Sequence, residues 1–274
     1  MGKFIQDLIS KFTIQILYLL LIAAYRWGRS FIERRHPLFK PLSLGLIAIL
    51  FLISSLVSFY TVPDYFVITF ILTFGILCYV IISELNVLWK LGILGADRAI
   101  AKGINYQKAL KMCTDSFDFL GIGASKLVGV RDDFRLAVAR CNRDDRPLRF
   151  LLCPPDHPNL LLVARRAGRP EAEYQATVKK SLSELRYLKK EKNFNIEIRF
   201  YSDLPLFRLM FINDNLCLAS HYILGEGDGS QLPQLHILKR PIGKRDIDSI
   251  YYPLNRYFKK MWDEGVIWDF EKYI

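Results

Sequence analysis

Two stretches of this 274-residue chain carry residue types suited to holding phosphate. The first is Gly121-Ile122-Gly123-Ala124-Ser125-Lys126, small residues that close an apolar run just before a helical pattern. Free amides and the dipole of a helix start attract an anion there, glycine lets it approach, and Lys126 adds a charge. The same residues also suit a tight strand-to-helix turn, since they form neither a P-loop nor a complete GxGxxG. The second stretch is Leu206-Phe207-Arg208-Leu209-Met210-Phe211-Ile212-Asn213, followed by Asp214 to Ala219 and then Ser220-His221. Here Arg208 reads either as a phosphate ligand or as an edge or surface arginine of a strand.

The second stretch resembles the signature of the phospholipase D superfamily, a His-x-Lys-x4-Asp strand, a short turn, and a Gly-Ser closing the next strand. Leu206 falls where the nucleophilic His stands, Arg208 where the Lys stands, Asn213 where the Asp stands, and Ser220-His221 where Gly-Ser stands. The resemblance covers residues 113 to 274 and implies one α/β domain of that family. Its main departure decides the chemistry, because leucine cannot attack phosphorus. The four histidines, His36, His157, His221 and His236, offer no second His-x-Lys spacing. The resemblance therefore implies a catalytically silent pocket, with Gly121, Gly123, Ser125, Lys126, Arg208, Asn213 and His221 as its ligand-binding set. No catalytic residue, cofactor or metal is expected.

Other constellations point to bland roles. Gly225 to Ser230 lacks the ligand count of a calcium loop and reads as a hairpin connection. Asp132-Asp133 and Asp144-Asp145 are adjacent pairs that diverge on a helix, so capping and solvation account for them. The five cysteines show no CxxC spacing, which fits a reducing compartment and excludes a disulfide scaffold or zinc knuckle.

Strands and helices alternate from Ser116 onward. The pattern predicts strands at 117–122, 148–153, 196–201, 207–212, 216–223 and 235–238. Helices are predicted from Asp132 or Asp133 to Cys141, from Pro158 to Ala167, from Pro170-Glu171 to Lys192, and from Asp246 to Glu264. Asn213-Asp214-Asn215 has the chemistry of a tight hairpin turn. The fold class expected is an α/β mixed sheet with helices on its faces, preceded by an α-helical transmembrane hairpin.

That hairpin rests on two uncharged runs, Leu42 to Val62 and Phe66 to Ser83, separated by Pro63, Asp64 and Tyr65. At about 1.5 Å per residue each is long enough for a hydrocarbon core of roughly 30 Å, the second with help from its flanks. Arg26, Arg29, Arg34, Arg35 and Lys40 precede it with Trp27, and Lys90 and Arg98 follow, so the hairpin enters from the cytoplasm and returns to it. Residues 4 to 25 read as an interfacial amphipathic helix or a third span. The resulting domains are a basic N-terminal segment at 1–40, the hairpin at 41–84, a linker helix at 85–112 serving as hinge or tether, and a cytoplasmic domain at 113–274. The inner membrane is the expected location.

The layout is similar to that of bacterial antiphage effectors that damage the inner membrane. It implies a membrane-anchored sensor or effector that works as a homo-oligomer or with a partner protein, on a phosphate-bearing ligand such as a nucleotide or nucleic acid. The alternatives are a membrane-bound phosphodiesterase or lipid-processing enzyme using His221 or Ser125, and a membrane scaffold.

Overall fold

A computed structural model of the chain describes residues 85–166, 168, 170–221, 229–240 and 249–273, together with 71, 74, 75, 78, 79, 81 and 82. The chain falls into two units, Met1–Ser83 and Glu84–Ile274. In the first, every described residue is helical, and Ile71, Phe74, Tyr79, Ile81 and Ile82 are exposed. The basic segment at 1–40 and the rest of the hairpin lie outside the described residues. Among the described residues no helix is long and apolar enough to cross a membrane.

The second unit is built on an eight-stranded mixed sheet. Its strands are β1 (Ile93–Asp97), β2 (Phe117–Leu120), β3 (Leu148–Leu152), β4 (Ile196–Phe200), β5 (Phe207–Ile212), β6 (Leu216–His221), β7 (Gln234–Leu238) and β8 (Val266–Ile267). Their spatial order is β1-β7-β6-β5-β2-β3-β4-β8. Strands β2, β3 and β4 are parallel to one another, and the other pairings are antiparallel. Parallel neighbours need crossover connections, which the helices supply. Helices α2 (Ser125–Gly129) and α3 (Arg131–Arg140) join β2 to β3, and α4 (Pro158–Arg166) and α5 (Glu171–Lys190) join β3 to β4. Helix α1 (Tyr106–Met112) precedes β2, and α6 (Tyr251–Glu264) precedes β8.

Helix α5 shows how local sequence sets an element. It follows Pro170, carries Glu171 and Glu173 in its first turn and Lys189 and Lys190 in its last, and so opposes charge to dipole at both ends. Val178, Leu182, Leu185 and Leu188 recur at helical spacing and are buried. Beneath the α1–α3 layer, Phe117, Phe119, Phe134 and Phe150 pack with ring centroids 5.6 to 6.4 Å apart, mostly edge to face. The β5–β6 hairpin turns through Asn213, Asp214 and Asn215, with Asn213 and Asp214 at φ 52° and 55°, the left-handed region that Asn and Asp tolerate.

Residues 85–112 do not form the expected linker helix. Residues 85–90 are helical, but Gly92 then turns the chain at φ 80°, where a Cβ would lie 2.4 Å from the Leu238 carbonyl oxygen. Strand β1 follows at once and pairs with β7. Gly103 closes against the Asp97 carboxylate, where a Cβ would clash outright. These glycines serve a turn and a close approach. The closing helix begins at Tyr251 rather than Asp246: residues 249 and 250 form a bend and turn before it, and 246–248 lie outside the described residues.

Candidate functional site

Arg208 lies on β5 opposite Ser220 of β6 and is only 7% exposed. Its guanidinium donates to Ser220 Oγ at 3.0 Å and to the Tyr106 hydroxyl at 3.0 Å, and it sits 5.4 Å from the Tyr106 ring centroid. Tyr106 is placed by the start of α1, where Asn105 Oδ1 accepts from the Lys108 amide at 3.0 Å and caps the helix. Its ring also packs edge-on against Phe119. A buried planar fork of donors fixed by two hydroxyls is chemistry that recognises phosphate or carboxylate oxygens.

Register brings the two sequence stretches to one end of the sheet, because Leu120 pairs with Leu209 and Gly121 therefore follows beside Arg208. The loop is nevertheless largely committed to the fold. The Gly121 amide donates to Leu151 O at 3.1 Å, and its carbonyl accepts from the Tyr201 hydroxyl at 3.1 Å. Gly123 faces α5, where a Cβ would stand 3.2 Å from Val178 Cγ2. Helix α2 is five residues long with no side-chain cap, so it sums few peptide dipoles. Ser125 is half-buried and Lys126 exposed.

Asn213 and His221 are not brought to this cluster. Asn213 follows the end of β5, five residues past Arg208 and about 16 Å away at strand rise. Its Oδ1 accepts from the amides of Thr114 and Asp115 at 2.9 and 3.0 Å, and its Nδ2 donates to Met112 O at 2.9 Å. The side chain thus clamps the α1–β2 connection. His221 is exposed and stacks edge-on against Phe207, its cross-strand partner, on the opposite side of the hairpin from Ser220 and Arg208. Leu206 is 60% exposed, and its amide donates to the Tyr257 hydroxyl at 3.0 Å. His157 is spoken for as well, with Nε2 on Ser202 O and Nδ1 accepting from the Asn159 amide. No group of metal-ligating side chains occurs among the described residues.

No protein-family model matches the chain, and no curated protein matches it either. Solved structures do match. The chain is similar to Nuc, a phospholipase D family member from Salmonella typhimurium, at 9% identity and TM-score 0.36, over 60% of this chain and 88% of that one. It is also similar to phosphatidylserine synthase of Haemophilus influenzae Rd KW20, at 5% identity and TM-score 0.43, over 65% of this chain and 40% of that one.

On the other face of the sheet lies a feature that the sequence reading missed. Asp118, Arg149 and Glu197 are register partners across β2, β3 and β4, in a lateral row beneath α6. Asp118 is 1% exposed and accepts from Arg149 Nε and Nη2 at 2.9 and 2.5 Å and from Arg146 Nη2 at 3.1 Å. Arg146 also pairs with Asp214 in the hairpin turn. Its hydrogen bond, working against burial, holds the Asp214 carboxyl below the usual carboxylate range. Arg149 and Arg199 both lie over the Trp262 ring, at 5.5 and 4.7 Å. The signal was the charge interrupting each apolar strand, FDFL, LRFLL and IEIRF.

Proposed function

We propose that this chain is a membrane-anchored sensor or effector whose C-terminal α/β domain, phospholipase D-like and without a nucleophile, binds a phosphate-bearing ligand through Arg208. The observation that carries the reading is the buried Arg208 fork between the Tyr106 and Ser220 hydroxyls. Ligand oxygens would join those hydroxyls on the guanidinium. A leucine at position 206 and an imidazole at 221 turned to the other side of the hairpin leave neither of those positions to supply an attacking group beside Arg208. Binding would then act through residues 84–110 on the apolar hairpin of 41–84, in an oligomer at the inner membrane that serves in defence against phage.

Titration of the detergent-solubilised chain with inorganic phosphate tests the site. Arg208→Gln is expected to weaken binding at least tenfold, and equal affinity in the two proteins would remove Arg208 from the ligand. Membrane potential during overexpression tests the effector. Depolarisation should survive His221→Ala and vanish on deletion of 41–84, whereas phosphodiester hydrolysis lost with His221→Ala would establish an enzyme instead.

A further inference from the structure

We propose that a cleft on the α6 face of the sheet is a second anion site, and that its ligand is a small nucleoside phosphate. The cleft measures about 560 Å³, within the usual range for a small-molecule site, and is walled by the β3 and β4 strands, the β5–β6 turn, the residue after β7, and α6. Four cations, Arg146, Arg149, Lys239 and Lys259, face two carboxylates there, Glu197 and Asp214.

The two kinds of cation have different roles. Arg146 and Arg149 are fixed by the buried Asp118 and by Asp214, so their remaining donors are held in place before any ligand arrives. Glu197 is paired with Arg199 at 2.8 Å. Lys239 and Lys259 are exposed and make no ion pair among the described residues, and they supply the positive excess that an added anion would neutralise.

The remaining walls fit a ring. Tyr251 and Tyr252 stand edge to face at 5.8 Å, and since Tyr251 and Trp262 are buried, the half-buried Tyr252 is the aromatic surface this cleft offers a base. Asn255, one turn before Lys259, presents an amide with no hydrogen bond among the described residues, a donor and acceptor pair suited to the edge of a base. Inorganic phosphate would use the cations and leave the aromatic and amide walls idle. A phosphorylated nucleoside uses all three. The cleft is on the opposite face of the sheet from Arg208, as the alternation of Asp118 and Phe211 against Phe119 and Met210 requires, so it stands independently of the Arg208 site.

The test titrates the full chain in detergent with ADP, GDP, CDP and UDP, each against pyrophosphate. At least one nucleoside diphosphate should bind tenfold or more tightly than pyrophosphate. Repeated in the Arg208→Gln background, which removes the other phosphate site, that preference should persist, and Lys239→Gln and Lys259→Gln, both at exposed positions, should each weaken diphosphate binding at least fivefold. The proposal is overturned if, in that background, no nucleoside diphosphate outbinds pyrophosphate or if binding survives both lysine substitutions.

Discussion

Asn213 combines two demands that can be separated by substitution. It holds a left-handed conformation, and its amide ties Thr114, Asp115 and Met112 to the β5–β6 turn. Asn213→Gly keeps the conformation and removes the clamp, so it should cost about 1–3 kcal/mol. Asn213→Ala should cost roughly 1–2 kcal/mol more, because Cβ disfavours that region. Urea unfolding of the two variants checks the order, and equal losses would mean that the clamp carries everything. Asp214 beside it gives a pH signature. Its carboxyl is depressed in the folded protein, so its stabilisation is present above the ordinary carboxylate pKa, about 3.9, and fades as pH falls through the folded value. Asp214→Asn should lower the urea midpoint at pH 6, and the gap to the parent should close below that pKa. Thiol chemistry follows burial in the same way. Burial pushes Cys141 up to about 11 and Cys153 up to about 12, and drives Cys113 and Cys217 higher still. Iodoacetamide at pH 8 should leave these four unmodified in the native protein and label them after denaturation, as read by mass spectrometry.

Among the elements, α6 is the one whose aromatic face closes over the charged row. Phe258 stacks on Trp262 at 5.9 Å and meets Phe211 edge-on at 5.6 Å, and Trp262 covers two arginines. Trp262→Ala should destabilise the second unit by about 3–5 kcal/mol, and Trp262→Phe by clearly less because a ring remains over Arg149 and Arg199. Denaturant midpoints followed by circular dichroism would measure both. Helices α3, α4 and α5 and strands β2 to β7 were legible because each carries its own period and end signals, such as Pro170 with Glu171 or the Asn213-Asp214 turn. Strands β1 and β8 were not. β1 is a five-residue stretch holding Gly95, and β8 has two residues, so each owes its strand form to a distant partner. The candidate site was legible at Arg208 and not at Tyr106, which reaches the guanidinium from 102 positions away in the sequence. The partners of Asp118 were hidden for the same reason, although a charge inside FDFL announced that it had some.

For the whole molecule, the decisive property is the division at Ser83 and Glu84. The apolar runs before it predict that alkaline carbonate will leave the chain in the membrane pellet, and that deletion of 41–84 will release it to the supernatant. Recovery of the intact chain in the supernatant would overturn the anchor. The pairing of β1 with β7 carries a consequence for biosynthesis. Asp97 and His236, hydrogen-bonded at 2.7 Å, are 139 residues apart. At roughly 5–20 residues per second, a ribosome needs on the order of 7–28 s to deliver the second after the first. Throughout that interval the nascent chain holds β1 without its mate, and the strand can pair only once translation has passed β7.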